Sequence, residues 1–346
     1  MDDIFTALTT PPPVISESAA TKFLHDNYGV EGSLQVLASE RDQNFRATRE
    51  AGESFVLKIA NSAEAPEVTD FQNEALLHVA KIDPVLPVPR VVRTTSGSTT
   101  STIFDIDGRG YTARLLTWLE GVRLGSATTR PDNAGMLGQF LAKLGLALRD
   151  FEHPASDYYL PWDLKRAGRL VELLDKLADE ALQVSCRQIL GRYKSHTEPV
   201  LKTLRSQVIH DDLHSGNVLV DSDSHSTITG VIDFGDVVRS PLIVDVAVAA
   251  AYLIADGKDP LADMVGFLSA YTRLRPLQKE EVALLYDLIL TRNVMTLVIG
   301  GWRATLYPAN SDYLLDSETQ ARKTIEILTG LDQSKVAGIF FKACRL

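Results

Sequence analysis

Apolar residues along this chain follow two rhythms, and the change between them divides it. Up to about residue 118 many alternate. In residues 54–60, Phe55, Leu57 and Ile59 share one face of an extended segment, and Val56, Lys58 and Ala60 share the other. Lys58 therefore sits among small apolar residues, and a lysine there needs a reason. Residues 34–38 and 44–48 read as further strands. So do 102–106 and 111–118, joined by the turn signal Asp107-Gly108. Two helices interrupt the pattern. One spans 16–28 and stops at Gly29; the other spans 67–80, with Phe71, Ala75, Leu76 and Val79 as its apolar stripe. Pro84, Pro87 and Pro89 follow as a connector.

Beyond residue 118 the helical period dominates. Leu137, Phe140, Leu141, Leu144, Leu148 and Phe151 form one stripe, and 164–193 supplies one or two more helices. The apolar run 241–254, interrupted by Asp245, is too short to span a bilayer and reads as a buried helix. At least three helices follow it. The exception is a pair of short β-branched runs, 218–220 and 228–232, which the polar stretch 221–226 separates as a hairpin turn would. The pattern predicts an α+β protein: a β-rich N-terminal lobe (1–117), a hinge near 117–121 whose backbone meets a purine, and a helical C-terminal lobe (118–346).

Composition narrows the function classes. The 346 residues carry 35 Lys and Arg against 45 Asp and Glu, a formal charge of −10 that argues against a nucleic-acid binder with a basic surface. The cysteines, Cys186 and Cys344, lie far apart and outside any Cys-x-x-Cys pattern, which fits a reducing compartment. The N-terminus has Asp2 and Asp3, no basic residue before Lys22 and no signal-peptide pattern. The expectation is a cytoplasmic protein with no membrane partner.

The chemistry is carried by His210-Asp-Asp-Leu-His-Ser-Gly-Asn217 and Ile232-Asp-Phe-Gly-Asp236. The first reads as His-x-Asp-x-x-x-x-Asn and the second contains Asp-Phe-Gly, the pair by which protein-kinase-like folds position an acceptor and hold magnesium. A hydroxyl acceptor needs a carboxylate to orient it and take its proton, which is the role expected of Asp212. Metal needs hard oxygen ligands, expected from Asn217 and Asp233. The hairpin between the motifs returns Asp233 to the neighbourhood of Asn217. His210 is expected to brace the loop. Lys58 followed sixteen residues later by Glu74 matches the strand lysine that clamps phosphates and the helix glutamate that fixes it. A zinc hydrolase on His210, Asp211, Asp212 and His214 conflicts with the loop-like surroundings of Gly216. No Gly-x-x-x-x-Gly-Lys-Ser/Thr occurs, which excludes a P-loop kinase.

These residues resemble the aminoglycoside phosphotransferase and choline kinase superfamily, whose usual motif is His-Gly-Asp-Leu-His-x-Gly-Asn. The resemblance implies a bilobal protein-kinase-like fold and a small-molecule acceptor. It also implies that Asp245 supports the catalytic loop from a buried helix. Ala-Pro-Glu and His-Arg-Asp, the landmarks of protein kinases, are missing, and so is the Gly-x-Gly-x-x-Gly loop. Residues 41–45, with Asn44 and Phe45, are expected to replace that loop at the nucleotide. The Asp42-Gln-Asn-Phe45 segment, Trp162-Asp-Leu-Lys165 and Leu306-Tyr-Pro-Ala-Asn-Ser-Asp-Tyr313 are most similar to the hydroxylysine kinases. That similarity implies an amino-acid alcohol such as 5-hydroxylysine as acceptor, GTP or ATP as donor, and Mg2+. The alternatives are another amino alcohol, an aminoglycoside, or a pseudokinase module that binds nucleotide without turnover. An acceptor with carboxylate and ammonium groups calls for arginines, acids and aromatic faces. The candidates are Trp162, Asp163, Asp236, Arg239, Arg292, Trp302 and Arg303.

Overall fold

The structure, a computed structural model, describes residues 5–126, 133–177, 179–255 and 257–346. It divides into two compact units: 1–120 with 153–158, and 121–152 with 159–346.

The first unit is an antiparallel sheet with helical cover. Its strands are β1 (Ser33–Leu37), β2 (Gln43–Thr48), β3 (Ser54–Ile59), β4 (Val91–Val92), β5 (Ser101–Phe104) and β6 (Gly110–Thr117). Their order is β1-β2-β3-β6-β4, with β5 also paired to β6. Register decides what each face carries. Phe45, Leu57 and Leu115 align across β2, β3 and β6, and so do Asn44, Lys58 and Arg114. The first row packs into a core with Phe23, Leu24 and Tyr28 of the Glu17–Tyr28 helix. That helix starts on Ser16, whose hydroxyl accepts the Ala19 N–H at 3.2 Å, and ends on Gly29 at φ 59°. The second row is polar. Arg114 donates from Nη1 to Asn73 Oδ1 at 3.0 Å and from Nη2 to Gln72 Oε1, both on the Pro66–Ile82 helix. His153 and Tyr158 join this unit through Phe71, with ring centroids 5.4 and 6.3 Å away.

The second unit is mainly helical. Helices Asn133–Ala147 and Ala262–Leu274 approach so closely that a Cβ on Gly138 would lie 2.2 Å from the Phe267 carbonyl oxygen. The Leu242–Ala251 helix is buried throughout. Lys279–Leu306 is the central helix, started by a capping box between Gln278 and Glu281. Among the described residues it alone is long and apolar enough to cross a membrane, yet 89% of its apolar window is buried in the protein. Burial on all sides explains why it reads as continuous apolar sequence. Residues 164–176, expected to be α-helical, form a 3-10 helix (Leu164–Lys176).

Among the described residues, five short strands complete this unit: β7 (Val122–Arg123), β8 (Ser206–Ile209), β9 (Val218–Val220), β10 (Ile228–Val231) and β11 (Val238–Pro241). They form β10-β9-β7 and β11-β8. The β9–β10 hairpin matches the apolar runs of the sequence. The β8–β11 pair was not expected, because its partners are 29 or more residues apart and neither alternates clearly.

Phe45 is 1% exposed and its side chain belongs to the core, which leaves its backbone to serve the loop expected at the nucleotide. Phe45→Ala should lower unfolding free energy by about 3–5 kcal/mol in urea denaturation. Phe45→Leu should lose far less and leave nucleotide affinity unchanged in calorimetric titration.

Candidate active site

Strand β8 delivers the chain to a loop that other segments of the second unit hold in place. His210 is fully buried. Its Nε2 lies 3.2 Å from the Ile232 carbonyl oxygen and its Nδ1 accepts the Asp212 N–H at 3.3 Å. The carbonyl only accepts, so Nε2 carries the proton. The ring also packs edge-on to Phe234 at 4.8 Å. Both nitrogens are thus spent on backbone, which removes His210 from any zinc site. From the Leu242–Ala251 helix, Asp245 Oδ1 accepts the Asp211 N–H at 3.0 Å. Burial raises the Asp245 carboxyl above its usual value, while His210 and these backbone N–H groups oppose that rise.

Asp211 occupies the glycine position of the family motif and has φ 64°. The left-handed backbone explains why glycine suits that position. Its carboxyl is fully buried, and among the described residues neither oxygen has a hydrogen-bond partner. Burial pushes it well above the usual carboxylate range, and the Asp163, Asp245 and Asp236 charges add to this against Arg292.

Asn217 and Asp233 converge through the hairpin, since the Ile232 N–H donates to the Asn217 carbonyl at 2.9 Å. Asn217 Nδ2 donates to the Asp212 carbonyl at 3.0 Å and to Asp212 Oδ2 at 2.8 Å. Its Oδ1 accepts no hydrogen bond among the described residues. Asp233 is exposed, at φ 64°, and its Oδ1 accepts the Gly235 N–H at 3.3 Å. An uncommitted amide oxygen and an exposed carboxylate at the ends of one hairpin fit a hard divalent cation. Among the described residues, no group of three or more His, Cys, Asp or Glu side chains could hold a metal ion.

Asp212 is the partly open carboxylate, its side chain 20% exposed. Arg292 Nη2 donates to its Oδ1 at 2.9 Å, and His214 Nε2 stands 3.6 Å from Oδ2. Burial alone would raise the Asp212 carboxyl; His214 and Arg292 outweigh burial and hold it below the usual range. Arg292 in turn stands over the Trp162 ring at 5.1 Å.

In the first unit, Lys58 is 9% exposed, directly between Asn44 and Arg114 on the polar face of the sheet. Asn44 Oδ1 is buried with no hydrogen-bond partner among the described residues. Glu74 is only half-buried and forms no ion pair or hydrogen bond among the described residues, so the expected Lys58–Glu74 pair is not made. The helix turns Gln72 and Asn73 inward instead, toward Arg114. The glycine-free turn before β2 is pinned by Asn61. Its Nδ2 donates to the Arg41 carbonyl at 3.0 Å, and its N–H donates to Asp42 Oδ1 at 3.1 Å.

The remaining candidates separate by what they touch. Asp163 is fully buried and accepts from the Ser240 hydroxyl at 2.8 Å, which ties it to β11 and not to a ligand. Arg239 pairs at 3.8 Å with exposed Glu152. Trp302 and Arg303 are 5% and 1% exposed, inside the central helix packing. The Gly300-Gly301 pair admits backbone: a Cβ on Gly300 would lie 2.8 Å from the Leu314 carbonyl oxygen. Asp236 is half-buried beyond the Asp-Phe-Gly turn. Sequence reasoning proposed Arg292 for a substrate carboxylate and missed its bond to Asp212. An arginine within the apolar run 282–299 was the available signal.

Residues 33–277 match the phosphotransferase enzyme family. The chain belongs to that family. This phosphotransferase is 26% identical to hydroxylysine kinase of Mus musculus, over 96% of its own length and 94% of that protein. Among solved structures, amicoumacin kinase hAmiN, in complex with AMP-PNP, Ca2+ and Ami, is similar in fold: TM-score 0.69, 18% identity, 93% of this chain and 97% of that one. A microcompartment-associated aminopropanol kinase is similar at TM-score 0.62 and 19% identity, over 95% and 98% of the two chains. The phosphotransferase is a small-molecule kinase that acts on a hydroxyl group, with the bilobal α+β fold of these proteins.

Asp245→Ala leaves the Asp211 N–H buried and unpaired, and should cost about 1–3 kcal/mol of stability in urea denaturation. Asp245→Asn keeps an acceptor oxygen and should cost clearly less.

Proposed function

We propose that this enzyme transfers the γ-phosphoryl group of GTP or ATP to a hydroxyl of an amino-acid alcohol such as 5-hydroxylysine. The observation that carries the reading is the amide of Asn217. It donates both hydrogens to Asp212 and leaves its oxygen uncommitted. One side chain thus ties the acceptor's carboxylate to a metal ligand. The near full-length likeness to hydroxylysine kinases supports the acceptor class.

In this reading Asp212 receives the hydrogen bond of the acceptor hydroxyl, aims it at the γ-phosphorus and takes its proton. Mg2+ bound by Asn217 and Asp233 would neutralise charge on the donor phosphates. Lys58 supplies the first unit's cation for the α- and β-phosphates. His210 and Asp245 do no chemistry; they hold Asp212 at its place, which matters because phosphoryl transfer depends mainly on positioning and electrostatics.

Asp212→Asn should lower kcat by about 10³-fold and leave nucleotide affinity unchanged; near-normal turnover would sink the assignment. Asp233→Asn should weaken metal-dependent nucleotide binding, read by titration with and without Mg2+. The acceptor is tested by donor consumption, with GTP and ATP each offered to 5-hydroxylysine, homoserine, ethanolamine, choline and an aminoglycoside. Consumption above background with hydroxylysine supports the proposal. Consumption only with another alcohol would reject hydroxylysine and leave the kinase reading standing.

A further inference from the structure

Arg292 lies in the middle of the Lys279–Leu306 helix, far in sequence from either kinase motif, and is 3% exposed. Its guanidinium is held on several sides. Nη2 donates to Asp212 Oδ1 at 2.9 Å and reaches the Tyr252 hydroxyl at 3.5 Å. Nη1 donates to the Trp162 carbonyl at 3.4 Å, and the guanidinium carbon lies 5.1 Å from the centroid of the Trp162 ring. Tyr252 is itself fixed, stacked on His214 at 5.1 Å. The guanidinium is therefore braced before any substrate arrives.

What it braces is the Asp212 carboxylate. The terminal torsion of an aspartate is broad and roughly two-fold, so a carboxylate held at one oxygen still rotates. Asp212 is held at both: Oδ1 by Arg292, and Oδ2 by Asn217 at 2.8 Å. Two donors on two oxygens set the plane, and only the remaining lone pairs face an incoming hydroxyl. Both bonds are charge-assisted, and Arg292 adds a full opposite charge largely out of water.

We propose that Arg292 is a positioning residue for phosphoryl transfer, which acts through Asp212 by locking the plane of its carboxylate toward the acceptor hydroxyl. The proposal rests on the reading of Asp212 as the acceptor-orienting carboxylate. It explains why an arginine is present, since a lysine is a compact point charge without the planar fork that spans Asp212 and the Trp162 carbonyl and lies over the Trp162 ring. It also assigns Arg292 a role other than binding a substrate carboxylate, because Nη2 is already committed and the side chain is only 4% exposed.

The test is steady-state kinetics with GTP and 5-hydroxylysine, with ATP hydrolysis by water as a second readout that needs no acceptor. The variants are Arg292→Ala, Arg292→Lys, Asp212→Asn and the Arg292→Ala/Asp212→Asn pair. Arg292→Ala should lower kcat by about 10²-fold, the loss expected of a misplaced reacting group, with KM for hydroxylysine and nucleotide affinity little changed. Added guanidinium should restore part of kcat, which a merely structural role would not allow. In the Asp212→Asn background, Arg292→Ala should cost no further activity. Arg292→Lys keeps the buried charge, and carries the test if the alanine variant does not fold; it should also lose kcat. Normal kcat in either single variant overturns the proposal. So does a loss confined to KM that vanishes for ethanolamine, which has no carboxylate; that result makes Arg292 a reader of the substrate. A further loss in the Asp212→Asn background overturns it as well. An active Asp212→Asn variant defeats the underlying reading, whatever Arg292 does.

Discussion

The site in the second unit hangs on one buried imidazole. His210 gives its Nε2 hydrogen to the carbonyl beside Asp233 and takes the Asp212 N–H on Nδ1. A single ring thus joins the loop that carries Asp212 to the strand end that carries Asp233. The joint is needed because the backbone at both places is strained: Asp211 and Asp233 each have φ 64°, a region that costs non-glycine residues energy. Strain of this kind persists only where the surroundings over-determine it. Here they do, through His210, the Asp245 carboxylate and the bond between Ile232 and Asn217.

A second constraint is charge. Asp163, Asp211 and Asp245 are buried, and Asp212 nearly so. Burying a carboxylate is costly unless it is paired or neutral, and each of these meets the demand differently. Asp163 takes the Ser240 hydroxyl and Lys165, and Asp245 takes backbone N–H groups. Asp211, without a partner, is driven toward its neutral form. Asp212 is held ionised by Arg292 and His214 while keeping some access to solvent. Environments that push neighbouring carboxyls apart are how one loop separates a working carboxylate from supporting ones.

Much of this was legible in the sequence because the governing signals are local. The alternation of 54–60 put Lys58 opposite Phe55, Leu57 and Ile59, and the sheet kept that division. The β-branched runs flanking 221–226 announced the hairpin that joins Asn217 to the Asp233 segment. The phase of an element decides which way each side chain faces. Phe45 and Asn44 are neighbours in β2, and a strand sends neighbours to opposite faces, so one is core and the other lies beside Lys58. Glu74 is about 200° around its helix from Gln72, and the helix turns Gln72 toward the sheet.

The sequence by itself determined the two kinase motifs, the alternating and helical halves, and so the fold class and the residue types able to move a phosphoryl group. Motifs and periodicities act over a few residues, and a chain displays them before it folds. Only tertiary structure decided what reaches across the chain. It paired β8 with β11, buried Arg303 and brought Arg292 to Asp212 from eighty residues away. Such contacts are set by how whole elements pack against one another, and no spacing along the sequence encodes them.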